Sequence, residues 1–280
     1  MRRASLPALG AVVVVGVVAA AVAVAQQPVP TVAVTASPTS VALQPAGPVP
    51  AGPTRFEVAR QGNKDVSVYF ILLNAGVSMD EFQAGLRRDD RTGGESTLGL
   101  VSIQASVSVG GSERQHGATF TLKPGLTYVV LSEANEEGGR GPRERGITTF
   151  TTSGQSNGAA APAPEARVRM VGLRFRGDRV LPRRGVVRVE NGDGVPHFAI
   201  AFPLRRRVTT RQFGRVVRSN SERGFGRVVA GAPYGLQGII SGGNTANDQE
   251  VRFPRTGRYA LVCFFGEHHR LGMYRLVTVR

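Results

Sequence analysis

The chain has 280 residues, a formal net charge of +15, one cysteine and no tryptophan. One cysteine excludes an internal disulfide framework and a Cys-x-x-Cys zinc site. The length suffices for two domains, each able to bury a core without covalent staples.

In chain order, Met1-Arg2-Arg3, the apolar stretch from Leu6 to Ala25 and the small residues Ala23-Val24-Ala25 read as an export signal over 1–25. Retention of that stretch as an anchor is the alternative, and membrane association is expected only in that case. Residues 26–53 are uncharged and rich in Pro, Ala, Thr and Val, which predicts a disordered linker. A first domain is placed at 54–153, a Gly/Ala/Pro linker at 154–165 and a second domain at 166–280. An exported thiol open to oxidation needs something to hold it, and a metal would do so.

Charge divides these domains. The first is close to neutral, whereas Arg167 to Arg280 holds 22 arginines against 7 acidic residues. Such a field attracts an acidic partner or an anionic surface. Nucleic acid is set aside because the export signal places the chain outside the cytoplasm, in the periplasm or cell envelope or secreted.

The two domains read as copies of one unit. Val77-Ser-Met-Asp-Glu-Phe82 parallels Val208-Thr-Thr-Arg-Gln-Phe213, and Phe120, Gly125 and Tyr128 parallel Phe253, Gly257 and Tyr259. This pairing sets Cys263 opposite Ser132 or Leu131, His197 near Val68 and Met273 opposite Ile147, so the first copy lacks the second's sulfur and imidazole residues. In the second domain, strands are expected over 167–175, 186–191, 197–202, 250–253, 258–265 and 273–279, separated by Gly, Pro, Asn and Asp. A short helix is expected over 209–218, capped by Thr209 or Thr210. Alternation puts Tyr259, Leu261 and Cys263 on one strand face. The fold class is all-β: two tandem Greek-key sandwiches.

The chemistry concentrates near the C-terminus. Cys263 is followed by His268, His269 and Met273, and Asn191-Gly-Asp-Gly-Val-Pro-His197 offers a further imidazole. A thiolate and two imidazoles in a plane with a weak axial thioether are the ligands of a blue-copper site. A buried cysteine, a core methionine and surface histidines are the plain alternative.

These stretches resemble the cupredoxin family, most closely its plastocyanin-like and azurin-like domains. Asn191 to His197 is similar to the strand end that delivers the family's first ligand. Gly257-Arg-Tyr-Ala-Leu-Val-Cys263 is similar to its Gly-x-Tyr-x-x-x-Cys strand, and His268-His-Arg-Leu-Gly-Met273 to its His-x-x-x-Gly-Met ending. The resemblance implies one type 1 copper held by His197, Cys263 and His268 with Met273 axial. His269 is open as a substitute for His268. Phe198 stands where plastocyanins carry a polar residue near the thiolate. The implied function is one-electron transfer between extracytoplasmic partners, with a redox protein of acidic surface as partner and an exposed His268 edge as the route. Four histidines are too few for a further trinuclear copper cluster, so the chain is expected not to be an enzyme. Copper handling without electron shuttling, or a metal-free protein-binding module, are the other readings.

Overall fold

The computed structural model describes residues 27–110, 114–134, 143–243 and 245–280. The expected export signal lies outside the described residues. Among them, no helix is long and apolar enough to cross a membrane.

Eight strands build the first domain: β1 (Thr31–Ser37), β2 (Ser40–Gln44), β3 (Val49–Arg60), β4 (Val66–Leu73), β5 (Val101–Val109), β6 (Gln115–Leu122), β7 (Thr127–Ala134) and β8 (Arg145–Ser156). Helix α1 (Met79–Thr92) lies between β4 and β5. The second domain has β9 (Ala166–Met170), β10 (Phe175–Gly177), β11 (Val180–Leu181), β12 (Arg184–Asn191), β13 (His197–Pro203), β14 (Tyr234–Ile240), β15 (Thr245–Arg252), β16 (Gly257–Val262) and β17 (Tyr274–Val279). Helices α2 (Thr210–Ser219) and α3 (Glu222–Val228) lie between β13 and β14.

The order β8-β7-β4-β5 in the first domain is matched by β17-β16-β13-β14 in the second. Opposite these lie β1 parallel to β3 with β3 antiparallel to β6, and β9 parallel to β12 with β12 antiparallel to β15. The expected repeat is therefore present in the strand pairing, with β11, parallel to β17, corresponding to the start of β3, parallel to β8. Each copy also carries the same helix start. Ser78 caps α1 in a reciprocal box with Glu81, and Thr209 caps α2 in one with Gln212. Phe82 and Phe213, at equivalent positions, are both buried.

Two aligned apolar faces fill each sandwich. In the second domain, Val187 and Val189 of β12 meet Ala199, Ala201, Tyr259, Leu261 and Val277 from the other sheet in one core, which also holds Cys263 and Met273. Ala260 and Val262, pointing the other way, pack with Phe213 and Val217 beneath α2. Strand β16 is thus buried on both faces, which explains why it reads as a near-continuous apolar run.

The structure corrects several boundaries. Residues 26–53 are not a disordered linker, since from Thr31 they form β1, β2 and the start of β3. Val32, Val34 and Ala36 alternate inward with exposed Thr31, Ala33 and Thr35, a period of two that the proline-rich composition obscured. Strand β8 runs to Ser156, into the expected 154–165 linker. Strand β14 was not expected, because Gly235 and Gly238 break its pattern. The two domains share a continuous sheet where β15 pairs with β6 through Asp248 with Thr119 and Gln249 with Ala118. Arg55 of β3 also forms a two-pronged ion pair with Glu250 of β15.

Candidate metal centre

His197 opens β13, Cys263 directly follows β16, and His268 follows a short 3-10 turn over Phe265–Glu267. Asn191 fixes the approach to His197. It is fully buried, donates through Nδ2 to the carbonyls of Val195 (2.9 Å) and Ile240 (3.2 Å), and accepts the Asp193 N–H at 3.0 Å. Gly242 lets the next connection close over this turn, because a Cβ there would lie 2.3 Å from the Asp193 carbonyl oxygen.

The loop from Cys263 to Met273 is closed by its own backbone. Cys263 N–H donates to Met273 O at 3.2 Å, Met273 N–H to His268 O at 3.0 Å and His268 N–H to Phe265 O at 2.8 Å. Gly266 (φ 49°) and Glu267 (φ 61°) both take the left-handed conformation that turns the chain back toward His268. Glu267 itself is exposed and paired with Arg270.

Three donor atoms converge. His197 Nδ1 lies 3.1 Å from His268 Nδ1, and Cys263 Sγ lies 3.8 Å from the first and 3.7 Å from the second. Among the described residues this is the one cluster of three such side chains, and all three are nearly or fully buried. A first-row dication bonded at about 2.0–2.1 Å to nitrogen and about 2.3 Å to sulfur sees nitrogen–sulfur edges of 3.7–3.8 Å at about 120°. The nitrogen–nitrogen edge of 3.1 Å closes to about 100° at those bond lengths, so the three donors fit a single metal.

The protonation chemistry fits as well. Asp193 Oδ2 lies 2.8 Å from His197 Nε2, so that nitrogen carries the proton and Nδ1 turns its lone pair inward. Burial tends to raise the Asp193 pKa but is outweighed by donation from Gly172 N–H, His197 and Leu173 N–H, which hold the carboxyl below its ordinary value. His268 is held below the ordinary imidazole value by burial, and then by His197, which keeps it neutral. Burial pushes the Cys263 thiol up to about 11, against the N–H groups of Phe198 and Phe265 that donate toward the sulfur. The bare site thus holds a thiol, and a cation is what would take the proton's place. The apolar Phe198 side chain offers the sulfur nothing, but its backbone does.

Met273 is fully buried in the same core and tied by its backbone to both Cys263 and His268. His269 is not in the cluster. Its ring packs 4.8 Å from Phe264, and both its nitrogens are buried without a hydrogen-bond partner. His268 is only 8 % exposed, so the expected exposed ligand edge is narrow. Asp193 escaped the sequence reading, although its place four residues before His197, in a turn that must fold back, was a usable signal.

Strand register refines the comparison of the copies. Ser132 stands at the Cys263 position, but Gly146 rather than Ile147 stands opposite Met273, and Val66 rather than Val68 opens the strand equivalent to that of His197.

No known family model matches the chain, and no curated protein matches it. Solved structures do. Auracyanin B is 20% identical over 43% of this chain and 93% of its own, with a TM-score of 0.26. A multicopper oxidase is 13% identical over 89% of this chain and 88% of its own (TM-score 0.26). The copper nitrite reductase of Nitrosomonas europaea is 12% identical over 90% and 94% (TM-score 0.25). These are distant likenesses, and the strand pairing by itself gives two tandem all-β sandwiches. They also correct one expectation: the neighbours that span both domains are enzymes, so the exclusion of enzymatic function is withdrawn.

Proposed function

We propose that this is a type 1 copper protein that transfers single electrons between partners outside the cytoplasm. In this reading His197, Cys263 and His268 would hold one copper, and Met273, buried in the same core, would be the further sulfur donor. The observation that carries it is the buried convergence of two imidazole Nδ1 atoms and one sulfur within 3.1–3.8 Å. Copper bound there supplies one-electron chemistry, since sulfur favours Cu(I) while imidazole suits both oxidation states. The chain's own contribution is rigidity. Asn191 and Asp193 fix His197, and the backbone-closed loop fixes the other donors, so little need move when charge changes. The concentration of arginine in this domain suits a redox partner with an acidic surface.

Copper titration followed by visible absorption tests the reading. An intense band from sulfur-to-Cu(II) charge transfer is expected at one equivalent and is lost in Cys263→Ser. Stoichiometric copper binding without that band would refute the type 1 assignment.

A further inference from the structure

Helices α2 and α3 lie on the outer face of the sheet that ends in the metal loop. Their apolar sides are accounted for: Phe213 and Val217 of α2 and Val228 of α3 pack against Ala260 and Val262 of β16. Their outer sides are not. Eight exposed arginines lie between Arg205 and Arg227, and Glu222 is the only acidic residue in that stretch. Arg211, Arg215 and Arg218 share one face of α2 at spacings of four and three. Among the described side chains, none of these arginines pairs with a carboxylate.

The fold does not demand this charge. The equivalent helix α1, with the same capping box, interleaves Arg87, Arg88 and Arg91 with Asp80, Glu81, Asp89 and Asp90. Like charges at i and i+4 on one helix face repel in the free protein. An anionic partner relieves that repulsion.

The arginine face also lies over an aromatic bridge to the metal site. Phe264 directly follows Cys263, and its ring lies 5.9 Å from Phe202 and 6.1 Å from Phe225. Phe225 sits in α3 between the exposed Arg223 and Arg227. One covalent step and one ring contact therefore link the ligating sulfur to the centre of the arginine face.

We infer that the α2–α3 face is the docking surface for an acidic redox protein, and that Phe225 and Phe264 carry the electron between it and Cys263. The inference rests on the copper reading. A reduced partner bound there loses one electron, Cu(II) becomes Cu(I), and no bond is made or broken. An acidic protein is favoured over a lipid surface because the charge is centred on a path to the redox site, which a membrane would have no use for.

The test uses the full copper-loaded chain and stopped-flow bleaching of the blue band by a reduced plant-type [2Fe–2S] ferredoxin, an acidic one-electron donor. The second-order rate is expected to fall steeply with ionic strength. Replacing Arg211, Arg215, Arg218 and Arg223 together by Ser is expected to lower it about tenfold or more at low salt. The same variant should react no more slowly than wild type with the cationic reductant hexaammineruthenium(II), because lost arginines only lessen repulsion of a cation. Replacing Arg87, Arg88 and Arg91 of α1 by Ser should leave the ferredoxin rate unchanged. Phe225→Leu should lower the saturating rate severalfold with an unshifted blue band. Ferredoxin rates indifferent to the four α2–α3 substitutions would overturn the docking surface, as would variant-sensitive binding to phosphatidylserine vesicles with unchanged ferredoxin rates. Absence of a blue band in the wild type is seen before any rate is measured, and identifies failure of the copper reading itself.

Discussion

Replacing Asp193 by Ala removes one carboxylate that serves two structures. Its Oδ2 accepts from His197 Nε2 at 2.8 Å and from Leu173 N–H at 3.3 Å, and its Oδ1 accepts from Gly172 N–H at 2.8 Å. Gly172 is exposed and Leu173 half-buried, so water can replace the carboxylate at those two donors at small cost. His197 is fully buried, and its N–H is left without an acceptor, a loss of about 1–3 kcal/mol. The copper-bound state depends on the same contact more sharply, because the imidazole must keep its tautomer and its aim. Loss of such an outer partner lowers metal affinity about 10–100-fold, equivalent to about 1.4–2.7 kcal/mol. Asp193→Asn retains an acceptor oxygen without the charge, so it is expected to recover part of the loss. Chelator competition followed by the blue band measures the affinity, and urea unfolding of the metal-free protein measures the stability. If Asp193→Ala binds copper as tightly as wild type, the carboxylate does not aim His197 and the reasoning fails.

His268→Ala is expected to abolish the blue band, whereas His269→Ala keeps it, because the His269 ring faces Phe264 and not the sulfur. Spectra of the two copper-loaded variants decide this, and the reverse result moves the ligand by one residue. Asp90, paired two-pronged with Arg145 at 2.7 Å, is held below the ordinary carboxylate value chiefly by that guanidinium. Its contribution is complete above the unfolded value near pH 4 and is lost as pH falls through the lower folded value. Asp90→Asn should cost about 1.5–2 kcal/mol near neutral pH, the range for a hydrogen-bonded charged group, since the pair is part-buried and Glu133 remains 3.5 Å from Arg145. Urea unfolding at pH 7 and pH 3 checks it, since the gap between variant and wild type should narrow in acid.

Much of the second domain was legible because its candidate ligands are chemically unusual residues at informative spacings. Cys263, His268 and Met273 stand out against an arginine- and valine-rich background, and Thr209 with Gln212 announces a helix by capping alone. The first strands were hidden for the opposite reason. Composition dominates a reading of 26–53, and only the alternation of Val32, Val34 and Ala36 betrays a buried face. The contact between domains was hidden because it is polar. Gln249 donates to Ser106 O at 3.3 Å, Gln237 to Ser106 Oγ at 3.1 Å and Asn247 to Gln104 O at 3.1 Å, all from side chains whose polarity by itself suggests solvent. Polar side chains satisfied by a second domain carry no local signature.

The two copies also show how one topology reaches two ends. In the first, Ser132 stands where Cys263 stands in the second, and its hydroxyl donates to Ser37 O at 2.8 Å, with Ser40 O at 3.2 Å. The β1–β2 hairpin end is thereby drawn onto that position. Gly146 permits the approach, since a Cβ there would lie 2.5 Å from the Ser40 backbone and 2.6 Å from the Ser132 hydroxyl. In the second copy the equivalent connection, between β9 and β10, is held through Gly172 and Leu173 by Asp193, the carboxylate that also holds His197. A hydroxyl in one copy fastens the hairpin end over the strand end. A carboxylate in the other fastens it to a histidine, and the strand end is left to a cysteine and its two imidazole neighbours. The absence of the cysteine and histidines from the first copy is thus matched by backbone packing that occupies their place, so placing a cysteine at position 132 alone would meet the hairpin and not a site.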